Sequence, residues 1–413
     1  MSHQGLPLIS IITPSFNQAG FIKQTIESVL MQDYPHIEHI VVDGGSTDGT
    51  LDILRSYHYL GERFRYVSEP DRGQSDAINK GLNMARGEII GWLNSDDAYL
   101  PGAVSKAMHA LTLNPAWSMV YGNAYHIDEK SKFISVYPTK PFTRQGLFSF
   151  CIICQPSAFV RKDVFQAVGG VDEALHYCMD YDLWMRISKT HQVGHIGDFL
   201  AASRLHAACK SIALEVELGL PEILKTSIRH FGTVANDWLY HFLTHYPQKG
   251  VYWFLDLFKT HKIFGNTPIL VDSNRYPNSW IPPRYRLSLY VDPLRPMQAL
   301  LIKGVNLLFN QPVHAHVLIN NVPSAFHVIP AGQFETCITL PVHDPESTVE
   351  LVCSRQQIIS FPENELIRQT VSFQVQHVFP LSADEHQFYL EYKKNPQQVA
   401  GWLLKNRHPI PSL

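Results

Sequence analysis

The feature that most limits how this chain can fold is an alternation that runs through roughly its first 200 residues. Short apolar runs rich in β-branched residues take turns with segments of helical period. The run LISIITPSF, within residues 6–16, ends at Asn17 and Gly20, and Ile22, Ile26, Val29 and Leu30 then recur at helical spacing, with Asn17 expected as the cap. IEHIVVD (37–43) predicts a second strand, closed by Asp43-Gly44-Gly45-Ser46, and Thr47 to Tyr57 a second helix. RYVSEP (65–70), QSDAINKGLNMA (74–85) and GEIIGWLN (87–94) repeat the strand–helix–strand order. This is the pattern of a parallel sheet with helical crossovers, an α/β fold. Such sheets bind ligands beyond the carboxyl ends of their strands. Here those ends carry Asp43 and the cluster Asn94-Ser95-Asp96-Asp97.

The remaining sequence sets boundaries on this picture. With 413 residues, two or three domains are expected, and 34 basic against 37 acidic residues give a net charge of −3, which argues against nucleic acid as a partner. Hydrophobic residues make up 45% and charged residues 17%, so a packed chain is expected rather than a disordered one. Six cysteines in this length are not a disulfide framework, and neither a signal peptide nor a long apolar span is visible, so a soluble, cytoplasmic protein is expected. From about residue 210 the pattern turns helical and aromatic (Trp238, Tyr240, Phe242, Tyr246, Tyr252, Trp253, Phe254, Phe258). Beyond a Pro/Asn-rich connector at 266–283, short alternating strands predict an antiparallel β-sandwich, with a hairpin turn at Asn320-Asn321. The expected domains are 1–210, a helical linker region at 211–267, and a β-rich domain at 268–413.

Three acidic segments could carry chemistry. Asp43, among Gly44, Gly45 and Gly49, could accept from a base N–H or simply form a turn. In NSDD, two adjacent carboxylates suit a hard divalent cation bridging to a diphosphate; the alternative is that Asp96 or Asp97 caps a helix starting near Pro101-Gly102-Ala103. In MDYDLWMRI, Asp180 and Asp182 would share a face in a strand and diverge at a helix start, where one could cap the helix and pair with Arg186. Arg204, His206 and Lys210 follow closely and could neutralise leaving-group charge.

Taken together and in order, SIITPSFNQAGFIKQTIESVLMQDYP, HIVVDGGSTDGT, SEPDRGQSDAINKGLNMARGEIIGWLNSDDAYLPGA, YCMDYDLWMRI and SRLHAACKS resemble the family 2 glycosyltransferases, over roughly residues 6–211. The resemblance implies the GT-A fold, a mostly parallel sheet with helices on both faces. It also implies a nucleotide-sugar donor (a UDP-sugar), a divalent metal (Mn²⁺ or Mg²⁺) and inversion at the anomeric carbon. By the same resemblance Pro14, Asp43, Arg72, Asp76, Asn94, Ser95 and Asp96 face the donor, and Asp96, Asp97 and His206 the metal. Asp180 is implied as the catalytic base, in preference to Asp182; Asp182, Arg204 and Lys210 lie on the diphosphate and acceptor side. Asn94 stands where the family pattern has Asp, and Met179 where it has Glu.

Those two departures keep open a second reading, a carbohydrate-binding or scaffold protein on a degenerate transferase fold. The leading expectation is an enzyme of surface polysaccharide or glycan synthesis, acting on a glycan or lipid-linked acceptor. A homo-oligomer and a peripheral contact at the inner face of the membrane are also expected. Cys151-Ile-Ile-Cys154 reads as a buried strand rather than a zinc or redox motif, and His314 and His316 as solvent-facing sandwich positions.

Overall fold

The computed structural model describes residues 6–264, 269–272, 274–290, 297–340, 346–361 and 364–406. The chain divides into two compact units, one running to Phe242 and one from Leu243 to Asn406. The expected boundary at 267/268 falls outside the described residues.

The first unit is built on a nine-stranded sheet. Its strands are β1 (Ile9–Ser15), β2 (Ile37–Asp43), β3 (Phe64–Ser68), β4 (Ile89–Trp92), β5 (Ala98–Tyr99), β6 (Trp117–Ile127), β7 (Phe133–Val136), β8 (Ala158–Arg161) and β9 (Gln192–Arg204). They are ordered β3-β2-β1-β4-β8-β6-β9-β5, with β7 added on β6. The β3-β2-β1-β4 part is parallel throughout, β8 runs against both β4 and β6, and β9 is parallel to β6. Every residue of β1 and β2 is buried, which is why these strands read as continuous apolar runs.

The helices of this unit are α1 (Ile22–Leu30), α2 (Thr50–Ser56), α3 (Gln74–Met84), α4 (Ala103–Leu113), α5 (Arg144–Ser149), α6 (Lys162–Ala167), α7 (Met179–Thr190), α8 (Lys210–Ala213) and α9 (Leu220–Phe231); α10 (Asn236–His245) crosses the boundary. They cover both faces. Ile9 and Ile11 pack into one core with Val104, Ala107 and Leu111 of α4, while Ile12, on the opposite pleat, meets α3 at Gly81. This is the GT-A arrangement that the sequence motifs imply.

In the second unit, α11 (Gly250–Thr260) precedes an all-antiparallel β region closed by α12 (Ala383–Lys394) and α13 (Val399–Asn406). One sheet holds five strands and another three, with a separate two-stranded ribbon. Tyr285, Leu287, Val313, Val317, Val349 and Leu351 of the larger sheet share one core with Leu300, Ile302, Phe334, Ile338 and Val375 of the smaller. That shared core makes a sandwich, as expected. Its hairpin turns at Asn320 (φ 51°) and Asn321 (φ 65°), the two left-handed residues that a two-residue turn requires. His314 and His316 are exposed on the outer face, against Phe326.

Candidate active site

The ends of β1, β2, β3 and β4 form one rim. Asp43, the last residue of β2, is buried, and its carboxylate is fully engaged there. Oδ2 accepts from the Gly45 N–H (3.2 Å), the Ser46 N–H (2.9 Å) and Ser68 Oγ (2.7 Å), and Oδ1 accepts from Ser46 Oγ (2.5 Å). Gly45 supplies the left-handed backbone (φ 84°) that this turn needs. Pro14 is buried on β1, paired with Val42 beside this turn. Asn17 does not cap α1, which begins at Ile22 with no side-chain cap. It sits instead at φ 53°, with Oδ1 accepting the Thr47 N–H (2.9 Å), because its side chain has a partner in the facing loop.

After β4 the chain turns through Asn94-Ser95-Asp96-Asp97, and Asn94 is the centre of that turn. Its Oδ1 accepts from Gln74 Nε2 (2.8 Å) and Trp92 Nε1 (2.9 Å); its Nδ2 donates to Gln155 Oε1 (2.9 Å) and Asp97 Oδ2 (3.3 Å). A carboxylate here would lose both donors and face two acceptors, which is the physical reason an amide suits the position. Ser95 is buried, and its carbonyl accepts from Thr25 Oγ1 (2.9 Å). Asp97 turns inward: only 3% exposed, it accepts the Arg204 N–H on Oδ1 (2.8 Å). Burial, and then Asp96 beside it, push its carboxyl well above the usual range. Neither aspartate caps α4, whose N-cap is Gly102 without a side-chain bond.

Asp96 keeps its side chain at the surface of the turn, with Oδ2 3.1 Å from His206 Nε2. Adjacent ligands on one octahedral ion held at about 2.1 Å stand about 3 Å apart, so these two atoms are spaced to share a small divalent cation. Among the described residues no three His, Cys, Asp or Glu side chains form a metal cluster, so further positions would fall to oxygens from a ligand or water. Arg204 does not present a free cation to that place. It is 2% exposed, and its guanidinium donates to the Asp96 and Asp128 carbonyls, Ser131 Oγ and Gln24 Oε1 while lying over Phe21. Lys210 donates from Nζ to the His176 carbonyl (3.0 Å), and burial lowers its proton affinity. Asp76, at the start of α3, accepts from the Arg72 N–H and Nη2 (both 3.0 Å), and the first of these bonds leads in holding its carboxyl below the usual range. The exposed Arg72 guanidinium is shared with Glu173 (2.7 Å).

Asp180 and Asp182 begin α7 and diverge, as a helix start requires. Asp182 is buried and bound to Arg186 (2.8 Å), Arg229 (2.6 Å) and His230 (2.7 Å). Burial alone would raise its proton affinity, but the His230 hydrogen bond and the two guanidiniums hold it below the usual range. Asp180 has the opposite balance. Half-buried, it is pushed up to about 6, chiefly by loss of water, against the pull of the Tyr181 and Asp180 N–H groups. Cys154, buried and unbonded to any other cysteine, lies within electrostatic reach of both Asp97 in the strand-end turn and Asp180 at the start of α7.

Several residues of this site carried no signal in the sequence. Gln155 and Cys154 lie in a buried irregular stretch and a 3₁₀ turn before β8, not in the strand expected for the CxxC. Glu222, Arg229 and His230 come from α9, inside what reads as a linker. Only their place in the fold brings them here.

A sequence model of the family described as glycosyl transferase family 2 matches residues 10–169. An uncharacterised glycosyltransferase of Rickettsia prowazekii is 34% identical over 212 residues, 49% of this chain and 65% of that protein. The chondroitin synthase of Escherichia coli is 28% identical over 207 residues, 50% of this chain and 30% of that one. The chain therefore spans less than two thirds of the length of either relative. Among solved structures, S. aureus TarS 1–349 in complex with UDP-GlcNAc has a TM-score of 0.49 and 15% identity, covering 62% of this chain and 80% of that one. Residues 10–169 are thus similar in sequence to glycosyl transferase family 2, and they carry the ordered motifs at the strand ends of the sheet.

Proposed function

We propose that the chain is a glycosyltransferase moving a sugar from a nucleotide-diphosphate sugar, of the UDP class, to a hydroxyl of a glycan or lipid-linked acceptor, with inversion. The observation that carries this reading is Asp180. Of the two carboxylates that open α7, Asp182 is consumed by ion pairs, while Asp180 is held half-dry with a proton affinity of about 6, suited to a base near neutral pH. The family match supports glycosyl transfer, and likeness to a chondroitin synthase supports a glycan acceptor and a place in polysaccharide synthesis.

Asp180 takes the proton of the acceptor hydroxyl as that oxygen bonds to the anomeric carbon. The bond from that carbon to the diphosphate oxygen breaks on the opposite face, and the nucleoside diphosphate leaves. Asp96 and His206 would hold a Mn²⁺ or Mg²⁺ ion, which when bound supplies positive charge against the diphosphate. Asp97, by accepting from the Arg204 backbone and the Asn94 amide, fixes the turn that carries Asp96. Asp43, Pro14, Arg72 and Asp76 line the donor side of the same rim. No described helix is long and apolar enough to cross a membrane; action in the cytoplasm, at the inner membrane face, is part of the same proposal.

The test is incubation with UDP-, GDP- and dTDP-sugars and Mn²⁺, with and without glycan acceptors, followed by NMR of the product's anomeric centre. Transfer with inverted configuration is expected. Retained configuration, or transfer undiminished in excess chelator, would overturn inversion or metal use respectively.

A further inference from the structure

The first turn of α7 carries the proposed base, and the groups that fix this turn come from α9; both helices lie beyond residues 10–169, the segment matched by the family. Glu222, in the first turn of α9 and 7% exposed, aims its carboxylate at the loop before α7. Oε1 accepts the His176 N–H (2.9 Å), and Oε2 accepts the N–H groups of Tyr177 (2.8 Å) and Cys178 (3.2 Å). One carboxylate thus gathers three consecutive backbone donors, the last of them on the residue preceding α7. Lys210 grips the same loop from its other polar side, at the His176 carbonyl. At the far end of α9, Arg229 and His230 hold Asp182. The close approach depends on Gly219, where a Cβ would stand 2.7 Å from the Tyr177 ring. Residues 176–178 and 182 are therefore clamped by one helix, and Asp180 lies between them.

We propose that Glu222 is a positioning residue for Asp180: it holds the backbone from which the base is aimed and keeps water from it. This rests on the glycosyl-transfer reading given above. The upward shift on Asp180 comes chiefly from burial, opposed by the Tyr181 and Asp180 N–H groups and helped by the nearby Asp182, so the placement of this backbone bears on both its direction and its dryness. The titratable groups facing it are Asp182, Tyr137, Cys151, Cys154 and Cys178; of these only Cys178 is itself bonded to Glu222, through its N–H. A displacement of about 1 Å in such a group costs roughly 100-fold in rate.

The experiment compares full-length Glu222→Ala and Glu222→Gln with the unaltered chain. It follows kcat, donor KM, the acid limb of kcat, and the titration of Asp180 by carbon-13 NMR. Glu222→Ala is expected to lower kcat roughly 100-fold with donor KM unchanged within about twofold. Asp180, near 6 in the unaltered chain, is expected to titrate closer to the ordinary 3.8 once water reaches it. Glu222→Gln, which keeps one acceptor oxygen, falls between, and serves as the test if the alanine variant does not fold. A folded variant with unaltered kcat and an unmoved Asp180 titration overturns the proposal, as does a loss borne wholly by donor KM. If the unaltered chain transfers no sugar from any donor, the enzymatic reading fails, while the NMR titration still decides whether Glu222 controls Asp180.

Discussion

Two aspartates separated by one residue show how position within a single helical turn divides chemistry from scaffolding. Residues i and i+2 point about 200° apart around a helix, so Asp182 turns into a cationic nest and Asp180 toward Tyr137, Cys151 and Cys154. The family resemblance favours Asp180 as the base, but residue type alone does not separate the two, because both are acids in the same apolar helix. Only the partners on α9 separate them. Asp180→Asn is expected to reduce transfer by roughly 100-fold or more while donor affinity, read by calorimetry, stays within a few fold. In the unaltered chain kcat should rise with pH through about 6 and then level off, since the base must be deprotonated. The linkage has a definite sign. A carboxyl raised from 3.8 to about 6 favours the folded state below about pH 4 and loses that benefit as pH rises through 6. Asp180→Asn should therefore raise the melting temperature at pH 8, and the gain should vanish near pH 4. Asp182→Asn should do the reverse, destabilising the protein by about 1–2 kcal/mol in denaturant titrations at pH 7, because it removes the buried carboxylate that pairs with the partly exposed Arg186 and Arg229.

At the scale of elements, the parallel strands and α1–α3 were legible because their apolar residues recur with periods that a buried strand or an amphipathic helix satisfies. The turn after β4 was legible in place but not in detail. Asn94 reads as a departure from the family pattern, yet in three dimensions it is bonded to β4, to α3 and to Gln155 through all four hydrogen-bonding valences. Restoring the family residue by Asn94→Asp is thus expected to harm the enzyme. It should lower the melting temperature at pH 8 and reduce kcat/KM by about tenfold or more, since a second carboxylate would face the buried Asp97. A rise in activity would mean that Asn94 is a weakened metal ligand instead. Arg204 shows the same limit from the other side: a basic residue near the motif suggested a diphosphate contact, but its guanidinium is spent holding the turn that carries Asp96.

For the whole molecule, the motifs stop near residue 211, but the first unit continues to Phe242. Trp238 stacks on Phe150 (4.7 Å) and donates to Tyr181 Oη (3.1 Å), so the aromatic stretch that reads as a linker is in part a wall of the site. A chain cut after residue 210 should lose Glu222, Arg229, His230 and Trp238 and purify without activity or as aggregate. One cut after α10 should melt cooperatively and bind donor; equal behaviour of the two would refute this boundary. The sequence by itself determined the α/β class, the sandwich and the rim where the acids gather, because periodicity and strand-end chemistry are local. Which acid is dry, which is paired and which residues aim it was decided only by the tertiary structure. Desolvation and ion pairing depend on groups such as Glu222 and His230, 42 and 50 residues away from Asp180 along the chain, that no local pattern connects to it.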